Sequence, residues 1–219
     1  MEEIDQKYKN RLMLLLIAGM PVTMILGATW LWYFVVRGDL DLVGVLGTAN
    51  RGTLVQPPRQ IDDSELRDQN GAAIRYADLG RKWTMLVPGA GDRCDTICES
   101  NLYLTRQLHI ALGKEYNRLA RMYLSEARVA ETELAVQDLS DQRPAPASFA
   151  ALLADEHRGL NALTVEPGGY ERMFAELGSD PSTWYLVDPG GWIMMSYNKG
   201  VNYKEVIADL KFLLKNSSE

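Results

Sequence analysis

Cysteine and histidine are the scarce residues of this 219-residue sequence, which contains two of each. So few soft ligands form no zinc-binding pattern, and the sequence has neither a Ser-His-Asp spacing nor a phosphate-binding loop. The glycines of PGAG, residues 88–91, are too short a match to indicate a nucleotide site. These absences leave no sequence basis for a zinc module, a serine hydrolase or a nucleotide-binding enzyme.

An excess of positive charge is also lacking. The formal net charge is −6. The acidic and basic residues among the first 36 positions cancel, so residues 37–219 also carry a net charge of −6. No segment combines a basic patch with interleaved aromatic residues. Because nucleic acid is bound mainly through its phosphate charge, the sequence predicts no nucleic-acid partner.

Charge is absent altogether from residues 12–36, a run of 25 positions. A helix of this length spans roughly 37 Å, more than the ~30 Å hydrocarbon core of a bilayer. Pro21 is tolerated in a membrane helix, and Trp30, Trp32 and Tyr33 lie where an interfacial aromatic belt is expected. The run is longer than a typical signal-peptide core and lacks a clear A-x-A cleavage site. It predicts a retained membrane anchor rather than a signal peptide or a buried core helix.

The flanking charges predict the orientation of this anchor. Lys7, Lys9 and Arg11 precede it in the segment 1–11, whereas Arg37 alone follows it. The positive-inside rule then places the N-terminus in the cytoplasm and everything after Arg37 across the membrane. Two cysteines in an oxidising compartment can form a disulfide.

Beyond the anchor, residues 37–59 have four glycines and a Pro-Pro pair, which predicts a linker, and residues 60–219 form one domain. In this domain strand-like and helix-like patterns alternate, which favours an α/β fold with a central mixed sheet, flanking helices and an N-terminal β-hairpin. The predicted elements are a hairpin turning at Asn70-Gly71, strands at 82–88, 118–125 and 160–166, helices at 97–113, 147–159 and 202–216, and a second hairpin within 182–198. The segment 126–146 has no assignable pattern.

The two cysteines, Cys94 and Cys98, follow a predicted strand directly and enter the helix that ends near Gly113. The first turn of a helix has unpaired N–H groups that favour a thiolate, and Arg93 acts in the same direction, whereas Asp95 and Glu99 oppose it. Residues four apart on a helix are about 6 Å apart at Cα, within reach of a disulfide.

Three interpretations of the pair remain open from the residues alone. A structural staple would close a loop of only five residues and would stabilise little. A metal site would suit Cu(I), but two thiolates normally need a third ligand. A redox couple needs no further residue, and exposure in the loop favours Cys94 as the attacking thiol.

Residues 54–216 resemble the Sco family, thioredoxin-like membrane-anchored proteins that help to assemble the copper centres of cytochrome c oxidase. The resemblance rests on the anchor, on LRDQNGAAIRYADLGRKWTMLV before the cysteines, on CDTIC as the family's C-x-x-x-C, on WYLVDPGGWI and on the final helix. It implies a thioredoxin-like fold and a single-pass protein of the bacterial inner membrane with a periplasmic domain.

One departure from the family concerns the metal. The resemblance implies copper held by Cys94, Cys98 and a histidine, but Asp180 stands at the histidine's position, and a carboxylate is a poor ligand for Cu(I). His109 lies eleven residues beyond Cys98 on the same predicted helix and is too distant to share a metal, so we expect a packed or surface residue. His157 lies near a helix end, where its charge would stabilise the helix dipole.

Together with this resemblance, the sequence predicts a periplasmic thioredoxin-like protein whose Cys94–Cys98 couple assists oxidase assembly by thiol–disulfide exchange. Its partner would be a respiratory oxidase subunit or another periplasmic redox protein. The alternatives are a Cu(I) chaperone that uses the two thiolates, and an accessory subunit that binds the oxidase and keeps the fold only as a scaffold.

Overall fold

The computed structural model describes residues 2–36, 50–61, 66–166 and 168–217. The chain divides into two compact units, Met1–Ala49 and Asn50–Glu219. The first unit contains helix α1, Glu2–Val36, with Pro21 inside it. Within the described residues, α1 is the one helix long and apolar enough to cross a membrane, over Met13–Phe34. Its threonines remain compatible with a bilayer, because Thr23 and Thr29 donate their hydroxyl protons to backbone carbonyls three and four residues earlier.

The second unit is built on a mixed seven-stranded sheet with the order β1-β9-β8-β3-β5-β7-β2, and a two-stranded sheet pairs β4 with β6. Strands β3, β5 and β7 are parallel, whereas β1, β2, β8 and β9 pair antiparallel with their neighbours. The strands are β1 (Thr53–Gln60), β2 (Leu66–Arg67), β3 (Trp83–Gly89), β4 (Arg93–Cys94), β5 (Leu119–Ser125), β6 (Glu133–Leu134), β7 (Leu160–Val165), β8 (Trp184–Val187) and β9 (Trp192–Tyr197).

Helices cover both faces of the sheet, as the sequence predicts. The longer ones are α2 (Thr96–Ala111), α3 (Phe149–Glu156) and α5 (Tyr203–Asn216), and α4 (Gly169–Met173) is a short helix that was not predicted. Because side chains alternate along a strand, Met85 and Val87 of β3 belong to one core cluster and Leu86 to another. The first cluster contains residues of α2, α3 and α5 together with both cysteines, and the second contains Met173 of α4.

The predicted linker is too long at its C-terminal end. Residues 53–60 form β1, which pairs antiparallel with β9 from Thr53 opposite Ser196 to Gln60 opposite Trp192, with a register shift between Leu54 and Arg59. The Pro-Pro pair lies within this shift. Prolines lack the N–H that a central strand needs, but an edge strand with an irregular register accommodates them. The boundary placed at residue 60 therefore falls inside the sheet, and residues 37–49 of the linker lie outside the described residues.

Both predicted turns form. Gly71 adopts a φ of +83°, and Asp68 and Ala72 are hydrogen-bonded across the turn, although the second arm contributes only an isolated bridge at Ala73. Gly191, with a φ of +87°, closes the hairpin between β8 and β9. The positive φ angles explain why glycine stands at both positions.

Candidate functional site

The cysteines lie at the junction between the end of β3 and the start of α2. Cys94 is in the short strand β4 and Cys98 is in the first turn of α2, and the two are joined by a disulfide with Cα atoms 5.2 Å apart. The structure therefore brings the two predicted site residues together. Cys94 lies before the helix and Cys98 within it.

Asp95, between the two cysteines, is the N-cap of α2. Its Oδ1 accepts hydrogen bonds from the backbone N–H groups of Ile97 and Cys98, each at 3.0 Å. These are donors that a free helix terminus would direct at a thiolate. The positive end of the helix is therefore already engaged by a carboxylate of the chain.

The disulfide is not exposed. Cys94 has no accessible surface and Cys98 retains 7%. The expectation that Cys94 is accessible in a loop is wrong, because the segment that the sequence left unassigned covers it. We call residues 133–145 the flap.

The flap is joined to the cysteine loop through its backbone. Strand β6 at its start pairs in parallel with β4, and the N–H groups of Glu133 and Ala135 donate to the carbonyls of Asp92 and Cys94 at 2.7 and 2.9 Å. The flap then folds back on itself, since the N–H of Ala145 donates to the carbonyl of Gln137. The pairing between β4 and β6 covers the edge of the cysteine loop.

The flap also supplies apolar cover. Leu139 is buried in the same cluster as Cys94 and Cys98, and Leu134, Val136 and Ala145 pack against that cluster. The turn that follows Leu139 is closed by the N–H of Gln142, which donates to the Leu139 carbonyl. The disulfide therefore lies between the sheet, α2 and the flap.

Glu99, the residue after Cys98, is buried although it is acidic. Its carboxylate accepts from the N–H of Ser140 at 3.0 Å and from the Ser140 hydroxyl at 2.5 Å, which satisfies both oxygens. The sequence showed Glu99 only as a negative charge near the thiols. Its partner lies 41 residues away in a segment without a pattern, so no local signal could have found the contact.

The two histidines are packed residues whose rings contact other groups of the chain. His109 is stacked on Tyr116 with ring centroids 3.8 Å apart, and its Nε2 lies 2.9 Å from the Tyr116 carbonyl, while burial lowers its pKa. His157 follows α3 directly and is 3% exposed, with its Nδ1 3.2 Å from the Arg121 guanidinium. Burial, with the nearby charge of Arg121, lowers the pKa of His157 to about 3. It is therefore neutral, and the interpretation of His157 as a charge on the helix dipole is wrong.

Comparison with known proteins agrees with this architecture. Residues 83–217 match the family model "Transmembrane-like, thioredoxin-like, C-terminal domain". The chain belongs to this thioredoxin-like family. No curated protein sequence matches it.

Solved Sco structures share the fold of the thioredoxin-like domain. Yeast Sco1 with copper bound is 18% identical, with 78% of this chain and 97% of that chain covered and a TM-score of 0.51. A second structure of yeast Sco1 is 19% identical, covers 78% and 99%, and has a TM-score of 0.50. The resemblance to the Sco family that the sequence indicated is thus confirmed at the level of the fold.

Asp180, which stands at the position of the family's copper-binding histidine, is hydrogen-bonded within its own turn. Oδ1 of Asp180 accepts from the N–H and the hydroxyl of Ser182 at 2.9 and 2.6 Å, and these bonds hold the pKa of Asp180 below its usual range. Within the described ranges, no three side chains of His, Cys, Asp or Glu lie together as metal ligands. In the disulfide form neither cysteine offers a thiolate to a metal, and Oδ1 of Asp180 is engaged by Ser182 of its own turn.

Proposed function

We propose that this chain is a membrane-anchored thiol–disulfide protein whose Cys94–Cys98 couple exchanges electrons with a cysteine pair of another protein. The observation that carries the proposal is the disulfide itself. It joins a residue just before a helix to a residue in the first turn of that helix, in a thioredoxin-like domain. No third residue is needed for this chemistry.

The exchange transfers two electrons in two steps. A thiolate of the reduced pair attacks a partner disulfide, a mixed disulfide forms, and one partner sulfur leaves as a thiolate. The second thiolate of the pair then attacks the mixed disulfide, which regenerates the Cys94–Cys98 bond and releases the partner dithiol. A dithiol donor outside the cytosol must reduce the pair again. Since exposure no longer distinguishes Cys94, the single variants Cys94→Ser and Cys98→Ser decide which thiol attacks. The variant that keeps the attacking cysteine and lacks the resolving one accumulates the mixed disulfide.

We place the domain in the periplasm of a bacterium, anchored in the inner membrane by residues 12–36. The support is the apolar helix and the excess of basic residues before it. We further propose that the partner is an oxidase subunit or an assembly factor with a cysteine pair at a copper centre. This step rests on the shared fold with copper-bound yeast Sco1.

The reduction potential of the pair tests the redox role. It is measured by equilibrating the protein with defined thiol–disulfide buffers and quantifying the disulfide after acid quenching. A value above about −300 mV is expected for a working couple, and a lower value would identify a permanent structural bond. Mixed disulfides trapped in cells by the single-serine variants should contain a partner with a cysteine pair.

Burial of the disulfide favours one second candidate, an accessory subunit that binds the oxidase and uses the fold as a scaffold. Cys94 has no accessible surface. Replacement of both cysteines by serine separates the two functions. Oxidase activity in cells is unchanged for a scaffold and lost for a redox partner.

A further inference from the structure

The described contacts of the flap join it to the cysteine loop, to α2 beside Cys98 and to α3. We propose that residues 133–145 are a lid that must open before the Cys94–Cys98 disulfide can exchange with a thiol. This inference rests on the proposed function, because it concerns access to the same couple.

Access is blocked on geometric grounds. Exchange needs an attacking sulfur in line with the S–S bond, and neither Cys94 at 0% nor Cys98 at 7% exposure offers that approach. The flap covers them at two places, since β6 pairs with β4 and Leu139 is buried in the core cluster that contains both cysteines.

The base of the flap is held by two backbone hydrogen bonds. Asp92 and Cys94 accept from Glu133 and Ala135, and the pairing between β4 and β6 extends over only two residues on each strand. A two-residue pairing has fewer hydrogen bonds to break than a longer strand pair. It therefore opens at lower cost than the longer strands of the central sheet.

The tip of the flap is held by polar contacts to two helices. Ser140 donates twice to Glu99 of α2, directly beside Cys98. Arg143 contacts Glu156 of α3 at 2.7 Å and Asp141 within the flap at 2.8 Å. Polar contacts of this kind can be replaced by water, so the main cost of moving the tip is the exposure of Leu139, which is buried beside Ser140.

The step in the open state is balanced. A thiolate of a dithiol donor attacks one sulfur of the disulfide, the other sulfur leaves as a thiolate, and a mixed disulfide forms. The second thiolate of the donor resolves it, so that two electrons pass to the pair and the donor becomes a disulfide. The flap then closes over the reduced cysteines through the same contacts to the cysteine loop, α2 and α3.

The test uses the full chain in detergent micelles and tris(2-carboxyethyl)phosphine as the probe. The rate of disulfide loss is followed by precipitation in acid, removal of the phosphine, alkylation of the redissolved, denatured protein with iodoacetamide at pH 8, and mass measurement. Two variants loosen the flap and leave the sequence of α2 and the two cysteines unchanged. Ala135→Pro removes the donor to Cys94. The double variant Ser140→Ala with Arg143→Ala removes the side-chain contacts at the tip, to Glu99 and Glu156, and keeps the backbone N–H of residue 140.

We expect each flap variant to be reduced about tenfold faster than the wild type, since the rate follows the population of the open state when closing is fast. The matched control is Glu176→Gln, which weakens the contact of Glu176 to Arg59 on the other side of the sheet. The control should be within twofold of the wild type. If Ala135→Pro does not fold, the double variant at the tip carries the test alone.

Two outcomes overturn the proposal. Flap variants that react within twofold of the wild type mean that the flap does not limit access. A wild-type rate that rises with urea as steeply as global unfolding does, with the control accelerated as much as the flap variants, means that only the unfolded chain reacts. The potential measured at equilibrium is a separate quantity, so a permanent bond in a chain whose flap does open would refute the proposed function and leave the lid intact.

Discussion

Asp95 determines how the helix terminus acts on the cysteines. A helix N-terminus favours a thiolate because its N–H groups are unpaired, but here the N–H of Cys98 already donates to a carboxylate. The carboxylate also repels a thiolate formed beside it. The reduced pair should therefore react more slowly at neutral pH than its position alone suggests.

The first prediction follows for Asp95→Asn, which keeps an oxygen that can cap the helix but removes the charge. In the reduced protein, the pH profile of alkylation by iodoacetamide should move about one pH unit lower, and the rate at pH 7 should rise several-fold. Asp92→Asn is the matched control, because it removes a nearby carboxylate from a residue that, among the contacts of the described residues, reaches the flap through its backbone carbonyl. A profile that does not move would show that the carboxylate has no influence on the thiols.

The second prediction concerns His157, which is buried neutral beside Arg121. Its pKa in the folded chain, about 3, is below the usual value of 6.5, so the unfolded chain takes up a proton between these values and the folded chain does not. Stability is therefore present above pH 6.5 and lost as the pH falls, at up to about 1.4 kcal/mol per pH unit.

His157→Gln should remove most of this slope between pH 6.5 and pH 5, while it keeps an acceptor for the Arg121 guanidinium. Urea unfolding at several pH values measures it. His109 also has a lowered pKa because of burial and contributes in the same window, so His109→Gln serves as the comparison. An unchanged slope in His157→Gln would show that His157 is not the residue that resists protonation.

The residues of the site could be predicted from the sequence to different degrees. Cys94 and Cys98 could be predicted because strand, loop and helix signals are local. The Glu99–Ser140 contact could not, because it joins a helix to a segment with no periodicity. The neutral state of His157 depends on burial and on Arg121 of β5, the strand next to β7, and no spacing along the chain shows this.

At the scale of elements, the alternation of strands and helices predicted the central sheet, whereas its first edge strand was missed. The Pro-Pro pair of β1 is a linker signal by composition, and only pairing with β9 makes it a strand. The start of β1 has a further attachment. Asp209 of α5, 5% exposed, accepts from the N–H groups of Arg51 and Gly52 at 2.8 and 3.1 Å and from the Tyr197 hydroxyl at 3.3 Å.

The third prediction is that Asp209→Ala destabilises the domain by about 3 kcal/mol, because three donors lose their acceptor in a buried site. Asp209→Asn keeps one acceptor oxygen and should cost about half as much. Urea unfolding gives the stabilities, and hydrogen exchange of the amides in β1 should increase more than that of β5. Equal protection of the two strands in Asp209→Ala would mean that Asp209 does not hold the start of the sheet.

At the scale of the whole molecule, the chemistry depends on the compartment. A disulfide persists outside the cytosol and is reduced within it. The sequence offers one cue for the orientation, the basic residues Lys7, Lys9 and Arg11 before the anchor against Arg37 after it. The acidic residues in the same segment contribute little to this rule, so the cue is not cancelled by them.

The fourth prediction is that an alkaline phosphatase fused after residue 219 is active in a bacterial host, because the domain then lies in the periplasm. Replacement of Lys7, Lys9 and Arg11 by glutamine removes the charge bias and should lower the active fraction several-fold at equal expression. Added protease should digest the domain in spheroplasts but not in intact cells. An inactive fusion, with the domain protected in spheroplasts, would place Cys94 and Cys98 in the reducing cytosol, where the couple could not serve as proposed.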